Sequence, residues 1–166
     1  MRQRTLVILR HAKADRPAAV ADLDRPLTGR GHADAAVAGA WLASRGYRPD
    51  LVLCSPSKRT RQTWHGVAVV LAGSPAPEVR YEPALYYDSA DEALDLVQLV
   101  PEKVGAVLLI GHNPGVSILS TLLDESSGRD SDGLRTSGIA VHQLDGDWTG
   151  YARGGAPVIA THTARA

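Results

Sequence analysis

Short apolar runs recur along the chain and are separated by longer stretches with helical character. Leu6–Leu9, Leu51–Cys54 and Ala106–Ile110 are continuous enough to read as buried strands, and Val79–Tyr81 as a weaker one. Between them, Thr28 is placed to cap a helix running to about Arg45. Its apolar stripe is read as Ala33, Ala36, Val37, Ala40 and Trp41, with Gly46 as a stop. Ser57 caps a second helix, Lys58 to about Leu71, closed by Gly73 and the prolines that follow. Ser89 and Glu92 form a capping box for a helix reaching about Val100. Asn113-Pro114 reads as an N-cap followed by proline at the first helical position, for a helix ending near Leu123. Glu125–Thr136 is polar and glycine-containing, which predicts a mobile loop. Gly138–Leu144 and Thr149–Arg153, joined around Asp145-Gly146-Asp147, predict a closing hairpin. The tail after Gly154 carries little pattern and is expected to be disordered. Strands alternating with helices indicate an α/β fold: a three-layer α/β/α sandwich whose mostly parallel central sheet carries an antiparallel edge.

The length of 166 residues suits one domain, 1–166, and no linker divides the chain. With 18 basic and 18 acidic residues there is no overall field to favour nucleic acid or an anionic membrane. No apolar stretch is long enough for a membrane span, and the first residues lead straight into a strand, so a cytoplasmic protein is expected. A single cysteine, Cys54, excludes an intrachain disulfide and ends an apolar run, as a buried structural thiol would.

Chemistry concentrates where the apolar runs end. Arg10-His11 follows the first run, and Gly111-His112 follows the fourth. Ser55-Pro56-Ser57-Lys58-Arg59-Thr60-Arg61-Gln62-Thr63 follows the second. In open α/β sheets ligands bind at the carboxyl ends of strands, so the topology brings His11, Arg10, Arg59 and His112 to one rim. A neutral imidazole with one nitrogen pinned and the other free is a good nucleophile toward phosphorus. Guanidinium groups clamp phosphoryl oxygens in bidentate fashion. Arg59 would add the positive end of a helix, and His112 could donate to an equatorial oxygen. Phosphoryl transfer needs mainly positioning and charge neutralisation, and these groups supply both. Lys13, Lys58 and Arg61 could steer an anionic substrate or simply be solvated. Ser137 is a further residue that could reach this rim. His32, His65, His142 and His162 have no motif context, and Trp41 and Trp64 read as packing residues.

These segments resemble those of a known family. Leu9-Arg10-His11-Ala12 is similar to the Arg-His-Gly signature of the histidine phosphatase superfamily, the phosphoglycerate-mutase-like fold. Ser55-Pro56-Ser57-Lys58-Arg59 with Gln62-Thr63 resembles its Ser-Pro-x-x-Arg-x-x-Gln-Thr segment, and Gly111-His112-Asn113-Pro114 its second-histidine motif. Asp24-Arg25-Pro26-Leu27-Thr28 with Gly31 resembles the segment found in the short SixA-type phosphohistidine phosphatases. The resemblance implies a covalent phosphohistidine intermediate on His11, with Arg10, Arg59 and His112 binding the phosphoryl group. It implies no metal and no cofactor, in keeping with two guanidinium groups that would repel a cation. Its natural substrate would be a phosphohistidine on a partner protein, such as a phosphotransfer domain or phosphocarrier.

The sequence departs from the pattern twice. Ala12 stands where the signature has glycine. Many members also carry an acidic residue after the third strand that protonates a leaving alkoxide, and the matching position here falls at about Tyr87. Glu82 and Asp88 are the neighbouring candidates for that acid. Without one, the site favours imidazole, which leaves a phosphorus–nitrogen bond without enzymatic protonation, over an alkoxide. Two alternatives stay open: a phosphomonoesterase acting on small phosphate esters through Glu82 or Asp88, and a non-catalytic phosphate-binding module.

Overall fold

The computed structural model describes residues 2–73, 75–87, 89–128 and 133–166. Six strands form one sheet: β1 (Gln3–Arg10), β2 (Leu51–Cys54), β3 (Glu78–Tyr81), β4 (Ala106–Gly111), β5 (Gly138–Asp145) and β6 (Val158–Thr163). They lie in the order β3-β2-β4-β1-β5-β6. The first four pair in parallel, whereas β5 runs antiparallel to both β1 and β6. The helices are α1 (Gly29–Ser44), α2 (Lys58–Val70), the short α3 (Pro83–Tyr86), α4 (Ala90–Gln98) and α5 (Gly115–Leu123).

Period-two alternation sorts the strand residues into two cores. Leu6, Ile8, Leu53 and Leu109 face α4 and α5, meeting Val97, Leu119, Trp148 and Tyr151. Val7, Leu9, Val52 and Ile110 face α1 and α2, meeting Ala38, Leu42, Trp64 and Val67. The three-layer sandwich with an antiparallel edge is therefore observed.

The stripe of α1 differs from the expected one. Gly31, Ala35, Ala38, Gly39 and Leu42 are buried, while Ala33 and Ala40 are exposed. A helix so rich in alanine has no clear periodicity; close approach to α2 decides instead. A Cβ on Gly66 would lie 2.7 Å from the Ala35 methyl, so α2 presses on the smallest face α1 offers.

Three further expectations are corrected. The second hairpin strand is not Thr149–Arg153: Trp148–Gly150 forms a 3-10 turn. The turn sends Trp148 and Tyr151 into the core, where Trp148 Nε1 donates to Val104 O at 2.7 Å and Tyr151 Oη to Arg4 O at 2.9 Å. The partner of β5 is β6, inside the tail expected to be disordered; its ladder pairs Gly138 with Thr163. Upstream of the predicted loop, α5 starts at Gly115 with Pro114 as the capping residue, one position later than Asn113 suggested. Within Glu125–Thr136, Glu125–Gly128 is a 3-10 turn, and residues 129–132 lie outside the described ones.

Candidate active site

Parallel pairing places the two histidines side by side. Arg10 of β1 is in register with Gly111 of β4, and His11 N donates to Gly111 O at 3.1 Å. The imidazoles of His11 and His112, each one residue past its strand, are 5.2 Å apart between ring centroids. Next to β4, Ser55 N donates to Ile110 O at 3.0 Å. That aligns the start of α2, capped by Ser57, with the same sheet edge.

His11 is held in one tautomer. Its Nδ1 lies 2.7 Å from Ala12 O, which can only accept, so Nδ1 carries the proton and Nε2 presents a lone pair. Burial, then the charges of Arg59, Arg10 and Arg25, push its pKa down to about 4 against that hydrogen bond, so the ring is neutral at physiological pH. His112 is pushed down to about 3, by burial first and then by His11 and Arg59. Its Nε2 pairs with Ser55 Oγ at 2.8 Å, which leaves Nδ1 as the ring nitrogen able to meet a ligand.

The loop between β1 and α1 completes the site. Its two ends are zipped by an Ala14–Leu27 bridge, and Leu27 N donates to Gln62 Oε1 at 2.8 Å. A 3-10 turn, Asp22–Asp24, then brings Asp22 onto Arg59. Arg59 Nη1 donates to Asp22 O at 2.7 Å and Nη2 to Asp22 Oδ2 at 3.1 Å. Arg25 Nη1 donates to Asp22 Oδ1 at 3.0 Å and Tyr86 Oη to Asp22 Oδ2 at 2.7 Å. The Tyr86 hydroxyl, followed by the two guanidiniums, holds the Asp22 carboxyl well below the usual carboxylate range. On the far side, Arg10 Nη1 and Asn113 Nδ2 both donate to Leu134 O, at 3.1 and 2.6 Å. Ser137, with a φ of 57°, donates its N–H to the carbonyls of both Arg10 and His11, each at 3.1 Å.

Arg10, His11, Arg59 and His112 are thus brought together, and Ser137 lies behind them. Ser55 and Thr63 are visible in the sequence only as members of a motif, and Asp22 and Tyr86 are not singled out there. Glu82 precedes α3 and its charge faces Arg80; it makes no side-chain hydrogen bond to a site residue. Asp88 lies outside the described residues. Cys54 is buried and its thiol is pushed up to about 12, the state of a structural rather than a nucleophilic cysteine. Among the described residues no three His, Cys, Asp or Glu side chains group as metal ligands. His142 is fully buried and satisfied, with Nδ1 donating to Ala156 O at 2.7 Å and Nε2 bonded to Ser120 Oγ at 2.7 Å.

The phosphoglycerate-mutase-like sandwich, with paired imidazoles and two guanidiniums at its strand ends, is supported as a phosphatase by the proteins it resembles. The chain belongs to the histidine phosphatase superfamily: the model of its branch 1 matches residues 6–85. Within that superfamily it is SixA-like. A solved Nakamurella multipartitia chain assigned as phosphohistidine phosphatase SixA is 34% identical, with a TM-score of 0.82 over 99% of this chain and 98% of that one. The protein histidine phosphatase SixA complexed with tungstate is 29% identical, with a TM-score of 0.78 over 96% of each chain. An uncharacterized Mycobacterium tuberculosis protein is 36% identical over 95% of this chain and 100% of its own length. No helix among the described residues is long and apolar enough to cross a membrane.

Proposed function

We propose that the chain removes phosphate from phosphohistidine on a partner protein, by covalent catalysis at His11. The observation that carries the reading is where unpaired polar atoms collect. Six buried side-chain nitrogens and oxygens lack a hydrogen-bond partner among the described residues, and four of them belong to this site: Arg10 Nε, Arg59 Nε, His112 Nδ1 and Ser137 Oγ. Buried donors are ordinarily satisfied, so a cluster around a neutral, nucleophile-ready imidazole suits an oxyanion ligand.

In the proposed reaction His11 Nε2 attacks phosphorus while the bond from phosphorus to the substrate imidazole breaks. Arg10 and Arg59 offset the charge on the phosphoryl oxygens and the neutral His112 donates a hydrogen bond to one of them through Nδ1, with no metal needed for that task. The substrate imidazole, protonated on its other nitrogen, departs as a neutral ring and takes no proton from the enzyme. Water then attacks the phosphoimidazole, the P–N bond breaks with its electron pair returning to Nε2, inorganic phosphate leaves as H2PO4− with the water's oxygen and both its protons, and His11 returns to its starting tautomer.

The carboxylates favour this leaving group. Asp22, the carboxylate bonded to a phosphate-binding candidate, has both oxygens occupied by donors and stays ionised, so it is unsuited to protonate an alkoxide. Exposed side chains next to site residues in the chain also suit a macromolecule. Leu23 and Tyr87, adjacent in the chain to the bonded pair Asp22 and Tyr86, are 42% and 78% exposed. The SixA neighbours are named as histidine phosphatases, which supports the same substrate class.

The test compares a phosphohistidine-bearing protein with an alkyl phosphate ester, in EDTA, for wild type and His11→Ala. Rapid turnover of the phosphoprotein alone, abolished by the substitution, is expected. Equal or faster turnover of the ester would replace this reading with a small-molecule phosphomonoesterase. Binding of phosphate without turnover of either would indicate a binding module.

A further inference from the structure

Asp22 poses a question of charge. A carboxylate beside a site built for an oxyanion repels that oxyanion and weakens the pull of the guanidinium it touches. Its contacts point to a compensating task. Asp22 takes the end-on edge of Arg59, with O bonded to Nη1 and Oδ2 to Nη2. The other edge, Nε–H with the second Nη2 hydrogen, is the fork that matches two phosphoryl oxygens, and Nε has no hydrogen-bond partner. A guanidinium on a flexible stem loses less on binding when its orientation is already fixed.

Tyr86 fixes Asp22 in turn. Its hydroxyl donates to the same Oδ2 that receives Arg59 Nη2, at 2.7 Å. Its ring stands edge-on to His112, with centroids 5.8 Å apart and planes at 81°. Tyr86 comes from α3, the segment in which an acid was expected, so the polypeptide after β3 reaches the site through a phenol and a hydrogen bond.

We infer that Tyr86 and Asp22 form a positioning relay that presents the free edge of Arg59 to the phosphoryl group. Neither residue exchanges a proton with substrate. The inference rests on the phosphoryl-binding role proposed above for Arg59 and His112.

The experiment measures tungstate affinity by calorimetry, and kcat and KM on an aryl phosphate, for wild type, Tyr86→Phe, Asp22→Asn, Arg59→Lys and the Tyr86→Phe/Arg59→Lys double variant. Thermal midpoints confirm folding. Tyr86→Phe keeps the ring against His112 and removes only the hydroxyl. Loss of one hydrogen bond to a charged group should weaken tungstate binding by about tenfold, with KM rising accordingly. Asp22→Asn should weaken it too. In the Arg59→Lys background, where no fork remains to be oriented, Tyr86→Phe should change affinity by less than about twofold.

Tighter binding by Asp22→Asn would show that Asp22 competes with the oxyanion, and would overturn the relay. So would an unchanged affinity in Tyr86→Phe, or an undiminished effect of that change in the double variant. Failure of wild type to bind tungstate, or indifference to Arg59→Lys, would instead reject the phosphoryl-binding reading, and the relay with it.

Discussion

Thr63 holds Ala12 in place. The threonine hydroxyl accepts from Ala12 N at 3.0 Å and donates to Arg59 O at 2.8 Å. Ala12 is the residue whose carbonyl fixes the His11 tautomer, so helix α2 controls the nucleophile through one oxygen. Thr63→Val keeps the shape and leaves Ala12 N–H unpaired at a buried position. A stability loss of about 1–3 kcal/mol is expected, together with a roughly tenfold fall in kcat. Urea unfolding and steady-state kinetics on an aryl phosphate read the two effects. Lost stability at unchanged kcat would make Thr63 a packing residue only.

Both site histidines resist protonation, and this sets the behaviour in acid. His11 is lowered to about 4 and His112 to about 3, chiefly by burial. The acid limb of kcat/KM reports the free enzyme, so activity should persist to near pH 5 and fall toward pH 4, below the ordinary imidazole value of about 6.5. Stability follows with the opposite comfort. The unfolded chain takes up these protons below about pH 6.5 while the native state refuses them. Their contribution is therefore full above that pH and erodes as pH falls toward about 4. His11→Ala should show a smaller drop in urea midpoint between pH 7.5 and pH 5 than wild type, and an equal drop would contradict the assignment.

Strand ends were legible because each combined a buried apolar run with a charged or imidazole residue, a pattern local in sequence. The caps Thr28, Ser57 and Ser89 were legible for the same reason: each accepts from the N–H three residues on. Asp22 was not, because its partner Arg59 lies 37 residues away and no periodicity marks an irregular loop. Tyr86 reaches Asp22 across 64 residues and sits in a four-residue helix. β6 was hidden because it is an edge strand whose burial alternates between half-buried and exposed, so no apolar run announces it. Asn113 offered a capping signal, yet its amide spans Leu134 O and Ser117 Oγ, at 2.6 and 2.5 Å.

Gly31 shows how the fold protects the Asp22 loop. A Cβ there would lie 2.1 Å from Lys13 O and 3.2 Å from Leu27 Cβ, and the first of these is backbone that cannot turn aside. Lys13 O also accepts from Thr28 N at 2.9 Å, closing the loop that carries Asp22 and Arg25. Gly31→Ala should destabilise by about 1–3 kcal/mol through overpacking. Because the strain falls on the loop, kcat/KM should drop while α1 keeps its helicity by circular dichroism. A variant as stable and active as wild type would show that the loop tolerates displacement.

Two exposed side chains separate the two substrate readings. Leu23 and Tyr87 follow Asp22 and Tyr86 in the chain, and both side chains are exposed. An isolated exposed hydrophobic residue needs no explanation, but on the proposed reading these two would supply the apolar part of the contact with a phosphoprotein. Replacing both by serine leaves Asp22, Tyr86 and the phosphoryl-binding groups in place. KM for a phosphohistidine protein should then rise by about tenfold, as for an interface residue worth more than 1 kcal/mol, while kcat/KM on an aryl phosphate stays within about twofold. Parallel loss on both substrates would place these side chains in the architecture of the site. No change on either would move the contact with the partner elsewhere on the surface.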